Sequence, residues 1–475
     1  MICVSVFGIC EKEIMSKIKE SKADIIEFRA DLSENYSLKK VISACKKKII
    51  VTNRVKEEGG EFVGDEVARE KFFEDAVKYG ADYIDVEYSS FRIPPVNGKT
   101  KIILSYHNLS NCNDLERMFD EMKDKADIIK IVGNANSLSD NLTTFKILKR
   151  AQEEKIKLIS FCMGEYGEIS RILCLKEGSF LTYAKEGDAS APGQIDLSIM
   201  RNVYQVNKLN DKTKVYGLVG NPVKKSKGYL VHNAAFKNLK LNSVYVNFLV
   251  EDVKEFMEDF NGFYSGLSVT MPHKQETMSY LDDIEEVAGK INAINTVVVK
   301  EGKKIGQNTD WIGALKAIEE RGPIKGRDVL VLGCGGAGRA IAFGIKNKGG
   351  LLTVVDTDVD KRDALAKDVG CEKMLPVDIA NQKFDIVINA TPIGMHPKVD
   401  VTPFDKKIYR KGMIVLDAVY NPLKTKTLKE AEKAGCKIIS GVEMFINQGV
   451  AQFEMWTNKK APVRIMKKIV LESLK

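Results

Sequence analysis

The stretch SAPGQIDLSIMRNVYQVNKLNDKTKVYGLVGNPVKK, residues 190–225, divides this sequence into two halves of different organisation. Before it, short apolar runs alternate with amphipathic helical patterns, and after it a second series begins that carries a glycine-rich fingerprint. The polar run 207–214 in its middle is typical of a linker between separately folded units. Turns rich in glycine and proline, at 191–194 and 220–222, lie on either side of this run. We therefore predict a domain boundary here, with more specific structure at both of its ends.

The composition indicates a globular chain with more than one domain. At 475 residues it exceeds the usual size of a single hydrophobic core, and its apolar and charged fractions, 44% and 29%, are ordinary. No apolar run reaches the length of a membrane span, so no membrane partner is predicted. The start MICVSVFGIC is short, lacks a basic leader and meets Glu11 at once, which favours a first β-strand over a signal peptide.

The cysteine and charge patterns limit the cellular compartments and the binding partners that fit this sequence. The nine cysteines form no CxxC pair and no cluster with histidine at metal spacing, which predicts reduced thiols, a cytoplasmic location and no metal. The formal net charge of +8 comes from scattered lysines without interleaved aromatic residues, so no nucleic acid is predicted. A mildly positive field suits small anionic substrates. The oligomeric state stays open.

The first half alternates strands and helices. Helical spacing marks stretches such as 66–79, 114–123 and 138–152. The predicted strands are 3–7, 25–29, 49–54, 83–86, 101–107, 128–132, 158–162 and 180–183. Eight such strands in about 200 residues predict an α/β fold of the (β/α)₈ TIM-barrel type. An open, doubly wound sheet is the alternative, because periodicity does not distinguish a closed sheet from an open one.

Polar residues gather where these strands end. Because the carboxyl ends of barrel strands form one face, and because buried ionisable groups are costly, this arrangement indicates a ligand site. The candidates at strand ends or within strands are Glu27, Arg29, Arg54, His107 and Lys130, and those in the following loops are Glu58, Arg171, Ser190 and Gln194.

Lys130 and His107 carry the chemistry of this predicted site. Lys130 lies among β-branched residues, where burial favours the neutral amine that attacks a ketone. A lysine on a half-exposed strand is an equally good interpretation of that residue alone. His107 taken alone is more typical of a hydrogen-bonded core histidine.

Six motifs in order give the first half its resemblance to type I 3-dehydroquinate dehydratases. They are Glu27-x-Arg29, Thr52-x-Arg54-x-x-x-Glu58-Gly59-Gly60, Ser105-Tyr106-His107-Asn108, the strand of Lys130, Met163-Gly164 with Ser170-Arg171, and Ser190-Ala191-Pro192-Gly193-Gln194. The resemblance implies a Schiff base on Lys130, proton transfer by His107 and orientation of His107 by Glu58. It also implies substrate binding by Glu27, Arg29, Arg54 and Arg171, and a closing loop with Ser190 and Gln194. No metal is implied.

A dinucleotide fingerprint organises the second half. The apolar run 329–332 precedes Gly333-Cys334-Gly335-Gly336-Ala337-Gly338, and a helical pattern starts at Arg339. This is G-x-G-x-x-G between a strand and a helix, and Asp356 ends the next predicted strand at the expected distance. The backbone N–H groups at the start of the helix are predicted to hold a pyrophosphate. We therefore predict a Rossmann domain.

The second half as a whole resembles shikimate dehydrogenases. The motifs are GNPV, SVTMPHK, AINT, GQNTD, the glycine fingerprint, NATPIGM, DAVYNP and GVEMFINQ. The resemblance implies Lys274 and Asp310 as the catalytic pair, with Lys274 as proton donor, and substrate binding by Ser226, Thr270, Asn295, Tyr420 and Gln448. It implies cofactor binding by Gly333, Gly335, Gly336, Ala337, Gly338, Asp356, Thr391 and Gly441.

Two departures from the family pattern bear on specificity. Gly228 stands where a second serine is usual, which removes a hydroxyl and leaves room, so quinate is a second candidate substrate. Asp356-Thr357-Asp358 stands where NADP-binding members carry Asn-Arg-Thr, and an acidic side chain there suits a ribose hydroxyl and repels a phosphate. Arg362 is a candidate to reach that phosphate. NADP stays first, because a biosynthetic reduction usually draws on NADPH, and NAD is the alternative.

The two resemblances together predict one chain with two consecutive activities. The predicted domains are 1–208 for the barrel, 213–312 with 442–475 for the substrate-binding domain, and 313–441 for the Rossmann domain. The implied substrates are 3-dehydroquinate and 3-dehydroshikimate. The alternatives are an enzyme of quinate breakdown that runs the second reaction oxidatively, and a regulator of the same architecture without activity.

Overall fold

The computed structural model describes residues 1–90, 94–96 and 98–474. The chain divides into two compact units, one made of Met1–Lys214 with Asn242–Val244 and the other of Val215–Leu241 with Tyr245–Lys475. Within the described residues, no helix is long and apolar enough to cross a membrane. Residues 91–93 and 97 of the predicted barrel domain, and residue 475 of the predicted return segment, lie outside the described residues.

The first unit is a near-closed barrel of eight parallel strands. The strands are β1 (Ile2–Val6), β2 (Ile25–Arg29), β3 (Lys48–Thr52), β4 (Tyr83–Glu87), β5 (Lys101–Asn108), β6 (Ile128–Asn134), β7 (Leu158–Met163) and β8 (Thr182–Ala184). They neighbour one another in chain order, and β8 pairs with β1. Across the gap between β7 and β8, the Phe180 N–H donates to the Leu158 carbonyl at 2.8 Å. The prediction of a barrel is confirmed, and the alternative of an open, doubly wound sheet is wrong.

Helices alternate with these strands because their apolar residues recur at helical spacing. The helices of this unit are α1 (Glu11–Glu20), α2 (Leu38–Ala44), α3 (Glu66–Lys78), α4 (Leu115–Met122), α5 (Asp140–Glu153), α6 (Glu168–Leu173) and α7 (Leu197–Asn202). In α4 the buried residues are Leu115, Met118, Phe119 and Met122, the i, i+3, i+4, i+7 pattern of one helix face. Each such side chain contributes about 1.5–3 kcal/mol on burial.

The predicted linker begins as part of the barrel. Val206 is fully buried in a short 3₁₀ turn, Val206–Lys208. The Asn207 side chain donates to the Asp24 carboxylate at 3.3 Å, and Arg201 forms an ion pair with the same carboxylate at 2.6 Å. The first residues of the polar run are therefore held by side-chain contacts of the first unit.

The second unit begins with a mixed six-stranded sheet. Its strands are β9 (Lys214–Gly220), β10 (Ser243–Leu249), β11 (Gly266–Val269), β12 (Asp283–Ile284), β13 (Thr296–Lys300) and β14 (Lys303–Gln307), in the order β10-β9-β11-β13-β14-β12. The helices are α8 (Gly228–Asn238), α9 (Val253–Asp259), α10 (Glu286–Ile291) and α11 (Asp310–Glu319). β11 runs parallel to β9 and antiparallel to β13. The carboxyl ends of β9 and β11 and the amino end of β13 therefore lie at the same edge of the sheet, together with the turns next to them.

A fully parallel sheet follows, with the strand order of a Rossmann domain. Its strands are β15 (Asp328–Leu332), β16 (Leu351–Val355), β17 (Glu372–Met374), β18 (Ile386–Asn389), β19 (Ile414–Asp417) and β20 (Lys437–Ile439), in the order β17-β16-β15-β18-β19-β20. The helices are α12 (Gly336–Asn347), α13 (Val359–Val369) and α14 (Lys426–Lys433). The Rossmann prediction is confirmed. The order reverses at β15, and this places the glycine loop after β15 at the switch point where nucleotides bind.

Two last helices, α15 (Gly441–Thr457) and α16 (Val463–Ser473), end the chain. α15 packs against α11 and strand β13 of the mixed sheet, and α16 packs against α8 and α15. A capping box of Ser440 and Glu443 starts α15 and satisfies backbone N–H groups that a helix leaves unpaired. Further along, the Trp456 indole donates to the Val297 carbonyl of β13 at 3.0 Å. This return of the chain brings Gln448 of α15 to the cleft between the two sheets of the second unit.

Candidate active sites

The barrel encloses a cavity of about 120 Å³ at the carboxyl ends of its strands. The structure brings together at this cavity all nine residues predicted for the first half: Glu27, Arg29, Arg54, Glu58, His107, Lys130, Arg171, Ser190 and Gln194. They converge because parallel strands in register deliver their last residues to one edge.

Lys130 on β6 is buried in this cavity, with 4% of its surface exposed. Its Nζ donates to Asp85 Oδ2 at 2.9 Å and lies 3.6 Å from Glu27 Oε1. It also donates to the Tyr183 hydroxyl at 3.3 Å and lies over that ring. Carboxylates are therefore the nearest charged groups to this amine. The interpretation as a half-exposed surface lysine is wrong.

Glu27 on β2 is fixed by three hydroxyl groups. Ser5 and Tyr183 donate to its two oxygens at 2.5 and 3.1 Å, and Thr52 donates at 3.1 Å. Only 3% of its surface is exposed. The carboxylate is thus a fixed negative charge beside Lys130.

His107 and Glu58 form a hydrogen-bonded pair at the end of β5. Nδ1 of His107 lies 3.1 Å from Glu58 Oε2, and the His107 backbone N–H donates to the same oxygen at 3.0 Å. Burial, with the cations Arg54 and Lys130, holds the pKa of His107 well below its usual value. The hydrogen-bond pattern assigns the proton to Nδ1, which leaves Nε2 of the neutral ring as a base.

Glu58 is itself easily protonated. Burial raises its pKa to about 7; the Arg54 guanidinium opposes the rise, whereas the carboxylates of Glu87 and Asp85 add to it. Glu58 therefore changes its protonation state between pH 6 and 8. It holds His107 in the Nδ1–H tautomer only while it is ionised.

Arg171 is a buried cation without a carboxylate partner among the described residues. It is 1% exposed, its NH2 group donates to the Pro192 carbonyl at 3.0 Å, and its Nε has no hydrogen-bond partner. Its guanidinium lies over the Phe161 ring, 4.5 Å from the centroid. Burial lowers its pKa to about 10, so it stays charged at neutral pH. An unpaired buried guanidinium lining a cavity is a ready site for a carboxylate.

The other two arginines are already paired. Arg29 binds Asp31 through two parallel hydrogen bonds of 2.9 and 2.6 Å. Arg54 contacts the carboxylates of Asp85 and Glu87 at 2.8 and 3.3 Å. Both line the cavity, but less of their charge is available to an incoming anion than that of Arg171.

The loop with Ser190 and Gln194 lies beside Arg171. The Ser190 backbone N–H donates to Gln194 Oε1 at 3.0 Å, and the Gln194 amide donates to Ser190 Oγ at 3.1 Å. Gly193 has a φ of +77°, and a Cβ on it would lie 2.4 Å from the Gly164 carbonyl oxygen. Only glycine lets this loop approach the turn after β7.

Asp85 and Glu87 of β4 are charged neighbours of this site that the sequence reasoning missed. They lie two residues apart, so both point into the barrel. Each is at most 1% exposed, and Glu87 also forms an ion pair with Arg69 of α3. The acid–apolar–acid alternation of β4 was the available signal, since strands buried on both faces are usually continuously apolar.

The second unit contains a larger cleft of about 500 Å³, roughly four times the volume of the barrel cavity. Predicted residues of both sheets line it: Ser226, Thr270, Lys274, Asn295, Asp310, Ala337, Tyr420, Gly441 and Gln448. The extra volume is consistent with two ligands side by side.

Lys274 and Asp310 form an ion pair inside this cleft. Nζ donates to Asp310 Oδ2 at 2.6 Å, and the two side chains are 27% and 15% exposed. Asn295 donates to the other carboxylate oxygen at 2.8 Å. Asn295 Oδ1 in turn accepts hydrogen bonds from Thr296 and from the Thr309 backbone. Asn295 therefore fixes Asp310, and one amide hydrogen stays available to a ligand.

The remaining substrate candidates surround this pair. The Gln448 amide donates to the Phe445 carbonyl at 3.1 Å, and Tyr420 stacks on the Phe445 ring with centroids 5.9 Å apart. Ser226 Oγ accepts from the Gly228 backbone N–H at 3.2 Å. A Cβ on Gly228 would lie 3.2 Å from the Tyr245 hydroxyl, so a serine there would fill the space. The missing side chain leaves room beside Ser226.

His232 is a polar lining residue of the cleft that the sequence reasoning did not select. It is 2% exposed and stacks on Tyr245 with centroids 4.6 Å apart, while its Nδ1 has no partner among the described residues. Burial lowers its pKa to about 3, so the ring is neutral. In the sequence, a histidine on an apolar helix face does not indicate that the residue lines a ligand cleft.

The glycine loop has the shape that a dinucleotide requires. A Cβ on Gly338 would lie 1.7 Å from the Gly333 carbonyl oxygen, so only glycine permits this contact of helix and strand. Gly335 and Gly336 have no atom within 4 Å of a built Cβ, which leaves space for a pyrophosphate over the start of α12. Beside the loop, Thr391 Oγ1 donates to the Asn389 side chain at 2.7 Å.

The residues after β16 are acidic, and their side chains already form hydrogen bonds or ion pairs within the protein. Asp356 accepts hydrogen bonds from the backbone N–H groups of Cys334 and Asp358, at 2.6 and 2.9 Å, and so fixes the glycine loop. Arg362 is buried and forms an ion pair with Asp363 at 2.7 Å. A ribose phosphate that binds this guanidinium has to share it with Asp363, and the contact stays a prediction.

No group of histidine, cysteine, aspartate or glutamate in the described part of the chain could hold a metal ion.

Three family models match the chain: Type I 3-dehydroquinase over residues 2–211, Shikimate dehydrogenase substrate binding domain over 218–297, and Shikimate 5'-dehydrogenase C-terminal domain over 441–471. A bifunctional 3-dehydroquinate dehydratase/shikimate dehydrogenase of Arabidopsis thaliana, named as chloroplastic, is 36% identical over 94% of this chain and 80% of its own length.

Two further relatives match the second half alone. A shikimate dehydrogenase (NADP(+)) of Methanocaldococcus jannaschii is 41% identical over 56% of this chain and 99% of its own. The solved structure of a quinate dehydrogenase from Corynebacterium glutamicum in complex with NAD is 31% identical, with a TM-score of 0.52, and covers 55% of this chain and 99% of that one.

Proposed function

Because the chain belongs to the family of bifunctional 3-dehydroquinate dehydratase/shikimate dehydrogenases, we propose that it dehydrates 3-dehydroquinate in the barrel and reduces the product, 3-dehydroshikimate, to shikimate in the second unit. The observation that carries the first activity is the buried Lys130 beside His107 and the unpaired Arg171. The one that carries the second is the ion pair of Lys274 and Asp310 in the larger cleft.

The barrel residues divide the dehydration between them. Lys130 Nζ loses a proton and attacks the C3 carbonyl. The carbonyl oxygen takes up that proton and a second one from the nitrogen and leaves as water, which gives an iminium that draws electrons from C2. His107 Nε2 takes the C2 proton, and the resulting imidazolium gives a proton to the C1 hydroxyl, which leaves as water. Hydrolysis of the iminium then releases the product and restores the amine. The carboxylates of Asp85 and Glu27 lie beside Nζ and stabilise the cationic iminium.

The residues around this centre orient the substrate. Arg171 binds the substrate carboxylate, since it is the cation without a carboxylate partner. Arg29, Arg54 and Glu27 contact hydroxyl groups of the ring. Ser190 and Gln194 close over it and exclude water.

In the second site, Lys274 donates a proton to the ketone oxygen as reduction proceeds, and Asp310 holds Lys274 in place. Ser226, Thr270, Asn295, Tyr420 and Gln448 bind the ring and its carboxylate. NADPH supplies the hydride when bound, and the residues that hold it are Gly333, Gly335, Gly336, Ala337, Gly338, Asp356, Thr391 and Gly441.

The ionisation of Glu58 should give the dehydratase an acidic limit near neutral pH. Its pKa is raised to about 7, so below that value Glu58 takes up a proton and no longer holds the Nδ1–H tautomer of His107. We expect the specificity constant of the dehydratase to fall tenfold per pH unit below about pH 7. The limb should be absent in Glu58→Gln, whose activity is low but flat. A wild-type profile without inflection between pH 6 and 8 would contradict this role.

The acidic segment after β16 should weaken the preference for NADPH. The relative from Methanocaldococcus jannaschii is named for NADP(+), yet Asp356 and Asp358 lie here and Arg362 is paired. We expect Thr357→Arg to raise kcat/KM for NADPH about tenfold, because an exposed arginine pairs with the ribose phosphate. The value for NADH should change less than twofold. Equal effects on both nucleotides would rule out a phosphate contact at residue 357.

A second candidate substrate is favoured by Gly228. Gly228 carries no side chain beside Ser226 and Tyr245, where the extra hydroxyl group of quinate would need space, and a quinate dehydrogenase is among the similar structures. We expect Gly228→Ser to lower kcat/KM for quinate oxidation at least tenfold with little change for shikimate, because the new side chain fills that space. Quinate oxidation at background level in the unaltered enzyme would exclude this candidate.

The overall proposal is tested by following the two reactions in one cuvette. Adding 3-dehydroquinate should produce the ultraviolet absorbance of the conjugated enone, and adding NADPH should then remove it with oxidation of the nucleotide. A regulator of this architecture would give neither signal. An enzyme of quinate breakdown would show its second reaction efficiently only in the oxidative direction.

We also propose that the protein works in the cytoplasm, in three domains bounded at 1–208, 213–312 with 442–475, and 313–441. All nine cysteines are free thiols, which supports a reducing compartment. Fractionation of the cells would contradict the location if the activity were recovered outside the cytoplasm, and limited proteolysis would contradict the boundaries if its first cuts fell inside a domain.

A further inference from the structure

A second cleft of the Rossmann domain lies away from the glycine loop, with a volume of about 390 Å³. It opens at the amino ends of β15, β18, β19 and β20, whereas the glycine loop follows the carboxyl end of β15. Arg327 on its wall and Gly333 of the loop are six residues apart along an extended strand, roughly 20 Å. The cleft is therefore separate from the nucleotide site.

The lining of this cleft is strongly cationic. Its charged residues are Arg321, Arg327, Arg410, Lys411, Lys437 and a single carboxylate, Asp385. They come from four separate segments, the loop before β15 and the starts of β18, β19 and β20. Cations converging from several segments repel one another, and such an arrangement is costly unless an anion compensates for it.

Two of the cations are neutralised within the protein. Arg321 forms ion pairs with Glu443 and Glu320 at 2.6 and 3.3 Å. Arg327 lies 3.7 Å from Asp385. The remaining three, Arg410, Lys411 and Lys437, have no carboxylate within 4.0 Å in the part of the chain that the structure describes.

Two of these three charges are held in place by backbone carbonyl groups. The Arg410 guanidinium donates to the Phe384 carbonyl at 2.6 Å, and Lys437 Nζ donates to the Arg321 carbonyl at 2.7 Å. Ligand binding therefore restricts these side chains less than it would restrict mobile surface lysines, so less conformational entropy is lost. Gly322 and Gly412 also line the cleft and leave it open.

Helix ends explain only part of this charge. Helices α11 and α14 both end near the cleft, and each helix C-terminus carries about half a negative charge. Two such ends compensate about one of the three cations. About two positive charges remain, which a monovalent carboxylate does not neutralise.

We infer that this cleft binds a multivalent oxyanion, a pyrophosphate or the polyphosphate group of a phosphorylated metabolite. Three convergent cations, one of them a guanidinium able to make two parallel hydrogen bonds, match the charge and geometry of linked phosphates. The site is independent of both active sites, and the inference does not rest on the proposed reactions.

The experiment is calorimetric titration of the full chain with inorganic pyrophosphate at low ionic strength. The protein is first saturated with NADP⁺, so that the glycine loop is occupied. We expect one remaining pyrophosphate site per chain, weakened at least tenfold in Arg410→Ala and in Lys437→Ala and unchanged in Lys367→Ala, an exposed lysine on α13. Affinity should also fall as salt is raised.

Both enzymatic activities serve as controls for folding, because none of the three altered residues lines an active site. If Arg410→Ala were misfolded, Lys437→Glu would replace it, since that position is exposed and a reversed charge should abolish binding. Loss of all pyrophosphate binding in the NADP⁺-saturated protein would overturn the inference, because the only site would then be the glycine loop. Equal affinities in the wild type and the cleft variants would overturn it as well.

Discussion

Lys130→Ala is expected to lower the turnover rate of the dehydratase at least about a thousandfold while the dehydrogenase of the same chain stays at its normal rate. The amine is the nucleophile, and no other lysine lines the barrel cavity among the described residues. Borohydride added with 3-dehydroquinate should reduce the iminium and fix a covalent adduct on the peptide containing Lys130. Mass spectrometry of the digested protein locates that adduct.

A matched control is Lys101→Ala, which removes an exposed lysine from the first residue of β5. It should keep both activities and the adduct. Asp85→Asn is a second test of the same centre: it removes the carboxylate nearest to Lys130 Nζ, at 2.9 Å, which stabilises the cationic iminium, so trapping should weaken although the nucleophile is present. An adduct that persists in Lys130→Ala would refute the Schiff-base assignment.

Lys274→Ala is expected to slow the turnover of the reductase by about a hundred- to ten-thousandfold, the usual range for removing a positioned proton donor. The ion pair with Asp310 lies in the cleft with both groups partly accessible, so Nζ can reach a bound ketone. The KM for NADPH should change little, because the glycine loop is untouched. The measurement is the NADPH-dependent rate, with the dehydratase rate of the same sample as the folding control.

The chain offers a close control for this variant. Lys290 and Glu286 form an ion pair with the same 2.6 Å distance, but they are 60% and 80% exposed and lie outside the cleft. Lys290→Ala should leave the reduction rate unchanged. If Lys274→Ala reduced 3-dehydroshikimate at more than a tenth of the normal rate, Lys274 would not be the proton donor, and an ordered water held by Asp310 would take that role.

Much of the fold followed from local pattern. β2 was predicted at its observed bounds, and the predicted apolar run 329–332 lies within β15. The eighth barrel strand was predicted at 180–183 and forms at Thr182–Ala184. Its register depends on β1 across the barrel, since Ile2 pairs with Thr182. A strand positioned by a distant partner carries little local information.

The candidate sites show the same division. Lys130, His107 and Arg171 were identified from residue type and order, and they do line one cavity. Asp85 was missed, although it is the nearest charged group to Lys130. The ion pair of Arg362 with the adjacent Asp363 was not foreseen either. Sequence identifies groups that can react, but it does not show which of them neutralise one another.

The sequence alone therefore determined the order of the domains, the barrel and Rossmann classes, and the set of groups able to carry the two reactions. Those properties depend on periodicity, on glycine at tight turns and on motif order, all of which are local. The tertiary structure decided which charges are paired. Arg54 meets Asp85 only because β3 and β4 are neighbours in the sheet, and Arg171 stays without a carboxylate partner among the described residues. Coulomb energy and desolvation depend on the distances and burial that folding creates, so free and neutralised charges are distinguished only in the folded chain.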